Sequence, residues 1–290
     1  MSIKHSRQLS PYAAVAIRLA ATIRPRALER RVAAEFMRPR RLALAEDLYP
    51  ELPPADEFVR VPTGDTWVAA WRWGTGPAVL LVHGWEDDHH CFDAMIARLI
   101  ASGQAVVALD LPAHGESGGL RTALPAAANA VADVAEFLGP ICAVVGHSYG
   151  GAAATLAIAA GLDVERAVVM ASPVSVGRIL DGVTARLGLS AERRDGIEDA
   201  LVRRVGVPLE LLELEPIAKR LDVPTLVVHS RDDRTVPFFA GVRLQRAWPG
   251  AKLYSVDGLG HRRILTDGAV LDRIAAFIGP SSQAKLAASA

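Results

Sequence analysis

The sequence predicts an α/β fold in which a mostly parallel sheet is covered by helices on both faces. Short apolar runs such as "AVLLVHG" and "ICAVVG" are typical of strands that are buried on both sides. Helical stretches separate these runs, and right-handed crossovers between them produce a parallel sheet. Hydrophobic residues make up 51% of the 290 residues, which is enough for a large core.

The elements can be assigned in chain order from residue 57. "EFVRVPTGDTWVAAWRW" contains two alternating runs around Thr63-Gly64-Asp65, which predicts an antiparallel hairpin. Further strands are predicted at "AVLLVHG", "AVVALD", "ICAVVG", "RAVVMAS", "TLVVHS" and "KLYSVDG". Helices are predicted over residues 91–102, 124–137, 151–160, 239–247 and 264–278. The strands therefore number eight.

Polar residues collect where these strands end. In an open parallel sheet, ligands bind beyond the carboxyl ends of the strands. The residues predicted at those ends are His83, Asp110, Ser148, Ser172, Asp233 and His261. This edge of the sheet is therefore the candidate site.

Ser148 lies in "GHSYG", a G-x-S-x-G pattern with a strand before it and a helix after it. A sharp turn there lifts the serine hydroxyl clear of the sheet towards a base, and it strains the backbone of the serine. Gly146 and Gly150 give the turn room, since a Cβ at either position would collide with neighbouring chain. We expect Ser148 to be a nucleophile and His147 to project away from it.

A nucleophilic serine needs a base and a carboxylate that orients the base. His261, in "VDGLGHRRIL", follows the last strand and is flanked by glycines. "VVHSRDDRTVP" supplies Asp232 and Asp233 after another strand, and we favour Asp233 while Asp232 stays open. Ser148, Asp233 and His261 then have the chain order associated with this type of turn.

These motifs together resemble the α/β-hydrolase superfamily over residues 56–278. "LLVHGWEDD", "ALDLPAHGESGG", "HSRDDRTVP" and "GLGH" are similar to four of its segments and occur in its order. The resemblance implies the α/β-hydrolase fold, with eight strands and a small inserted helical cap. It also implies that Asp233, three residues before Val236, is the catalytic carboxylate. The oxyanion hole would be the backbone N–H groups of Trp85 and Tyr149.

The domain organisation follows from the same resemblance and from the charge pattern. We expect the hydrolase core at residues 56–172 and 223–290, and a cap at residues 173–222 that selects the substrate. Residues 1–55 would form an N-terminal helical extension and linker. Up to Arg41 the chain has ten basic and two acidic residues, a net charge of +8. A basic amphipathic helix packed on the domain is favoured here, with peripheral membrane contact or a cleaved signal as alternatives.

The predicted function is hydrolysis of a neutral, moderately apolar carboxylic ester by a Ser-His-Asp triad. Thioesterase, lactonase or C–C bond hydrolase activity would use the same residues, and a ligand-binding protein on the same scaffold is a further alternative. The scheme needs no metal and no organic cofactor. The cluster "EDDHH" at residues 86–90 is interpreted as a solvated loop, with a metal site as its alternative.

Composition narrows the partners and the compartment. The formal net charge is zero, which argues against nucleic acid as a partner and leaves a small-molecule substrate. The two cysteines, Cys91 and Cys142, do not suggest a disulfide framework, and Cys142 lies in a buried strand. We therefore expect a reducing, cytoplasmic location, and the oligomeric state is left open.

Overall fold

The structure is a computed structural model that describes residue 17, residues 20–41 and residues 52–279. The chain divides into two compact units. The larger unit contains the described residues of Arg38–Val174 and Leu214–Ala290, and the smaller contains those of Met1–Met37 and Ser175–Glu213. The assignment of residues 173–222 as a cap stays a prediction.

The larger unit contains all the strands of the sheet and most of the helices. The strands are β1 (Glu57–Thr63), β2 (Thr66–Trp73), β3 (Ala78–Val82), β4 (Ala105–Leu109), β5 (Ile141–His147), β6 (Arg166–Met170), β7 (Thr225–Ser230) and β8 (Lys252–Val256). Helices of both units, in chain order, are α1 (Pro25–Phe36), α2 (Asp93–Ala101), α3 (Leu124–Leu138), α4 (Tyr149–Ala159), α5 (Val176–Arg186), α6 (Ala191–Val205), α7 (Leu214–Ala218), α8 (Phe239–Ala247) and α9 (Gly268–Ile278). Short 3-10 helices are His89–Phe92, Leu209–Leu212 and Arg263–Leu265.

The strands form one eight-stranded sheet in the order β1-β2-β4-β3-β5-β6-β7-β8. β2 pairs antiparallel with β1 and β4, and every other pair is parallel, so the predicted fold class is confirmed. Val82 at the end of β3 is level with Leu109 on β4 and with Gly146 on β5. This register brings the residues that follow the three strands to one edge of the sheet.

Helices cover both faces of the sheet because the central strands are apolar on both sides. Val79 and Leu81 of β3 belong to a core cluster that also holds residues of α2 and α9. Leu80, between them, points to the opposite face, since side chains alternate along a strand. Helix α4 contacts β3, β5 and β6, and α8 contacts β7 and β8. Both layers bury large apolar side chains, which is the main source of stability for this type of fold.

The smaller unit is built around the packing of α1 against α6. Glu29 of α1 is 7% exposed and pairs with Arg193 of α6, whose Nη1 lies 2.6 Å from its Oε1. A Cβ on Gly196 would lie 2.4 Å from the Glu29 carboxyl carbon, so glycine permits this close approach. Ala33 of α1 and Ile197 of α6 are fully buried.

Three predicted helix starts are wrong. The helix predicted over residues 91–102 begins at Asp93, since His89–Phe92 forms a separate 3-10 turn. Helix α4 begins at Tyr149 rather than at residue 151, so it starts directly after Ser148. Helix α9 begins at Gly268 rather than at residue 264, because Asp267 caps it by accepting the Val270 N–H at 3.0 Å. A separate 3-10 turn occupies Arg263–Leu265.

Part of the N-terminal prediction lies outside the described residues. This applies to most of the apolar stretch "YAAVAIRLAATI" and to the first part of the acidic linker. Among the helices that the structure describes, none has the length and apolar character needed to cross a bilayer.

Candidate active site

Ser148 occupies a sharp turn between β5 and α4. Its φ of 53° and ψ of −121° lie in a region that costs a non-glycine residue about 1–3 kcal/mol. The Ser148 N–H donates to the Met170 carbonyl oxygen at 2.8 Å, which ties the turn to β6. A Cβ on Gly146 would lie 2.6 Å from the Gly150 carbonyl oxygen, and one on Gly150 would lie 2.1 Å from that of Val82. The pattern of glycines therefore has a steric cause.

The structure brings Ser148, His261 and Asp233 into one hydrogen-bonded chain. Nε2 of His261 lies 3.1 Å from the Ser148 Oγ, and its Nδ1 lies 2.7 Å from Oδ2 of Asp233. With Nδ1–H donating to the carboxylate, Nε2 has a free lone pair that faces the serine hydroxyl. This arrangement can transfer a proton from the serine to the imidazole.

Asp233 is held as a buried carboxylate by several donors. Its Oδ1 accepts the backbone N–H groups of Thr235 at 2.8 Å and Val236 at 2.9 Å. Nε2 of His229 lies 3.4 Å from Oδ2. Burial alone would raise the pKa of Asp233, but the contacts with His229 and His261 and the Val236 N–H bond outweigh it and lower this pKa. Asp233 therefore remains ionised beside His261.

Asp232, the alternative carboxylate, is exposed and contacts other groups. Its Oδ1 accepts the Ser230 hydroxyl at 2.5 Å and the Gly260 N–H at 3.1 Å. It therefore braces the loop one residue before His261, while the imidazole itself is paired with Asp233.

The backbone next to Trp85 lies directly against the serine. A Cβ on Gly84 would lie 3.1 Å from the Ser148 Cβ, so this residue must be small for the two segments to approach. Within the described residues, neither the Trp85 N–H nor the Tyr149 N–H donates to another protein group. Both N–H groups are therefore free of protein acceptors, which the predicted role in an oxyanion hole requires.

The cluster at residues 86–90 has a specific partner for every member. The pairs are Glu86 with Arg40, Asp87 with Arg262, Asp88 with the His90 N–H, His89 with Asp110, and His90 with Asp93. The described part of the chain contains no group of three or more side chains suited to hold a metal ion. Residues 86–90 are half-buried or buried, so this segment is a set of anchoring contacts rather than a solvated loop.

Asp110 ties two loops together from inside. It is fully buried and accepts the backbone N–H of His89 at 2.8 Å, that of Glu116 at 2.8 Å, and the His89 ring, whose Nδ1 is 3.0 Å away. Burial alone would raise the pKa of Asp110, but the contacts with His89 outweigh it and lower this pKa to about 2. The loop after β3 and the loop after β4 therefore share one buried anion.

His147 is part of the site although the sequence assigns it no role. Its Nε2 donates to the backbone carbonyl oxygen of His261 at 2.9 Å, so it braces the histidine loop. It is 1% exposed, and burial, with repulsion from His261, lowers its pKa to about 3. His229 is a second missed residue, since it contacts Asp233. Their positions next to Ser148 and at the end of β7 are the only sequence signals for them.

A comparison with family models matches residues 79–273 to the model described as "Alpha/beta hydrolase family". The chain belongs to the alpha/beta hydrolase family. The resemblance in four motifs is thus confirmed by a match that spans most of the larger unit and continues through the inserted segment.

Individual members of the family are similar to this chain over different lengths. A 2-hydroxy-6-oxononadienedioate/2-hydroxy-6-oxononatrienedioate hydrolase of Dechloromonas aromatica is 35% identical over 77 residues, so the match spans about a quarter of either chain (27% of each). A pimeloyl-(acyl-carrier protein) methyl ester esterase of Neisseria meningitidis is 27% identical over 230 residues, covering 65% of this chain and 87% of that one. An esterase of Pyrococcus furiosus has the same fold, with a TM-score of 0.65 at 19% identity, covering 83% of this chain and 100% of that one.

Proposed function

We propose that this protein is a serine hydrolase that cleaves a neutral, moderately apolar carboxylic ester through an acyl-serine intermediate. One observation carries the proposal: Oγ of Ser148, the imidazole of His261 and the carboxylate of Asp233 are linked at 3.1 Å and 2.7 Å. The strained backbone of Ser148 adds support, because such strain collects at functional sites.

In the first half of the reaction, Oγ of Ser148 attacks the acyl carbon while Nε2 of His261 takes its proton. Asp233 stabilises the resulting imidazolium and keeps the ring in the correct tautomer. The carbonyl oxygen becomes an oxyanion that accepts hydrogen bonds from the N–H groups of Trp85 and Tyr149. Loss of one such donor typically costs about 100- to 1,000-fold in rate.

In the second half, the bond between the acyl carbon and the leaving oxygen breaks, and His261 gives its proton to the departing alcohol. Water then attacks the acyl-serine, with His261 again acting as the base. The carboxylic acid leaves and Ser148 regains its proton. Every step uses side chains and backbone of this chain, so the proposed scheme needs no metal and no organic cofactor.

The preference for an ester rests on the match to the Neisseria relative, which spans 230 residues. The Neisseria relative, of which 87% is covered, is named as a methyl ester esterase. Residues 173–222 contain eight basic and nine acidic residues, so they do not favour a strongly charged substrate. A thioester or a lactone would pass through the same tetrahedral intermediate.

The second candidate is hydrolysis of a C–C bond. The Dechloromonas relative is a 2-hydroxy-6-oxo dienedioate hydrolase, and its 35% identity over 77 residues favours this candidate. The short match makes it the weaker one. A non-enzymatic ligand-binding role has less support, since it would not require a strained serine beside a paired histidine.

The proposal is tested with p-nitrophenyl esters from acetate to palmitate. Wild-type protein should turn over at least one ester, and Ser148→Ala should lose at least about 1,000-fold in kcat/KM. Ser102→Ala is the matched control, because Ser102 is exposed and its hydroxyl donates to the Arg98 carbonyl oxygen in the preceding helix. If Ser148→Ala matched wild type, the proposal would fail. Turnover of a 2-hydroxy-6-oxo dienoate without ester cleavage would favour the second candidate.

A further inference from the structure

Arg40 and Glu86 are joined by three hydrogen bonds across 46 residues of sequence. Nε of Arg40 donates to Oε1 of Glu86 at 2.9 Å, and its Nη2 donates to Oε2 at 2.6 Å. The backbone N–H of Arg40 adds a third bond to Oε1 at 3.2 Å. A bidentate guanidinium pair with a backbone contact fixes orientation as well as distance.

Glu86 follows Trp85 directly and has an unusual backbone. Its φ is 57°, in the left-handed region that non-glycine residues rarely adopt. Such a conformation persists when surrounding contacts determine it. The three bonds from Arg40 are contacts of this kind, and they act on the peptide group next to the Trp85 N–H.

Arg41 holds a second loop that touches Trp85. Its guanidinium donates to the carbonyl oxygens of Ala113, Ser117 and Gly119. This loop carries His114, whose ring lies edge-on to the Trp85 ring with centroids 5.3 Å apart. Arg40 thus contacts Glu86, the neighbour of Trp85 in the chain. Arg41 contacts the loop whose His114 packs on the Trp85 ring.

The exposure of the pair argues against a role in global stability. The Arg40 side chain is 79% exposed and that of Glu86 is 21% exposed. An ion pair with so exposed a partner contributes little to the free energy of folding, because water screens it. Local geometry is therefore the property that these bonds can control.

We propose that Arg40 is a positioning residue for the oxyanion hole, holding the Trp85 N–H in place through Glu86. The inference rests on the proposed function, since it assigns a role to that N–H in the same reaction. It also gives the basic segment before residue 42 a task within the active site.

The kinetic test compares Arg40→Met, Arg40→Lys, Glu86→Gln and the double variant Arg40→Met/Glu86→Gln. Arg40→Met should lower kcat about 5- to 30-fold and leave KM within about 2-fold. A misplaced Trp85 N–H would weaken a hydrogen bond that stabilises the transition state more than the bound substrate. Glu86→Gln should resemble it, and the double variant should be no slower than either single one. Arg40→Lys should recover part of kcat, since lysine keeps the charge without the fork. The control is Arg38→Met, at an exposed arginine two residues away.

Amide hydrogen exchange provides a readout that does not depend on turnover. In Arg40→Met, peptides covering residues 84–88 should exchange faster, while those covering residues 257–261 should exchange as in wild type. If wild type cleaves no ester, the proposed function fails and this exchange pattern alone decides the positioning claim. Unchanged exchange at residues 84–88 would overturn it. So would a kcat, measured per titrated active site, that equals that of wild type.

Discussion

Asp233 and Glu86 are two carboxylates near Ser148 that lie in different surroundings. Asp233 contacts His261, and Glu86 follows Trp85 and contacts Arg40. Asp233 is 7% exposed and is held by two backbone N–H groups and two histidines. The partner of Glu86, Arg40, is 79% exposed. When a buried partner is lost, a polar group stays unpaired, whereas water replaces a lost partner at the surface. Asp233 should therefore tolerate substitution far less than Glu86.

The largest expected effect is that of Asp233→Asn. An amide cannot stabilise the imidazolium and favours the wrong tautomer of His261, so kcat should fall about 1,000- to 10,000-fold. Steady-state kinetics on the best p-nitrophenyl ester measure this loss, and circular dichroism checks that the protein is folded.

Asp232→Asn is the matched control for this substitution. Asp232 is the exposed neighbour that bonds to Ser230 and to the Gly260 N–H, and an asparagine can still accept both bonds. We expect its kcat to stay within about 3-fold of wild type. If the two variants lost activity equally, the choice between the two aspartates would have to be reversed or abandoned.

Asp110→Asn tests the buried anchor of the oxyanion side. Asp110 accepts three hydrogen bonds at 0% exposure, and an asparagine cannot accept all of them without burying an unpaired N–H. The free energy of unfolding should fall by about 1–3 kcal/mol, because a buried hydrogen-bonding group is left unpaired. Urea denaturation measures the loss. A loss below about 1 kcal/mol would show that burial does not determine how well these carboxylates tolerate substitution.

The free energy of unfolding should depend on pH through two buried histidines, His83 and His147. Burial, with repulsion from neighbouring histidines, lowers the pKa values of His83 and His147 to about 3. In the unfolded chain both protonate near pH 6.5, so the unfolded state binds more protons between pH 6.5 and pH 3. Their contribution is therefore fully present above pH 6.5 and is lost as the pH falls towards 3.

Urea midpoints measured from pH 7.5 to pH 4 should show this decline. In His147→Gln the decline should be shallower, since one of the two groups no longer titrates. A midpoint that stays constant down to pH 4.5, below which carboxylates begin to protonate, would contradict the assignment to histidines.

The smallest expected effect is that of Arg262→Ala. Nη2 of Arg262 lies 2.9 Å from Oδ2 of Asp87 and links the His261 loop to the oxyanion loop, but the arginine side chain is 59% exposed. We expect kcat to fall about 2- to 5-fold. A loss greater than that of Arg40→Met would reverse their order.

The sheet and the sharp turn at Ser148 could be predicted because the sequence patterns that indicate them are local. Each central strand is a continuous apolar run, and the G-x-S-x-G pattern can be recognised within five residues. The acid and histidine loops follow strands whose parallel order places them at one edge of the sheet. The structure brings Asp233 and His261 to Ser148 in agreement with that order.

The remaining contacts of the site have no local signature. The bond from His147 to the His261 carbonyl oxygen spans 114 residues, and the contact between Arg40 and Glu86 spans 46. Both contacts depend on the conformations of loops that are far apart in the sequence. The sequence of the cluster at residues 86–90 also allowed a metal interpretation, because most of the side chains that pair with it lie elsewhere in the chain. These partners are Arg40, Asp93, Asp110 and Arg262.

The most direct test of the central claim is covalent labelling with a fluorophosphonate, which reacts with activated serines. Intact-mass and peptide mass spectrometry should show a single adduct on Ser148, no adduct in Ser148→Ala, and much slower labelling in Asp233→Asn. Ester hydrolysis that continues without any adduct on Ser148, or an adduct on a different serine, would contradict the account.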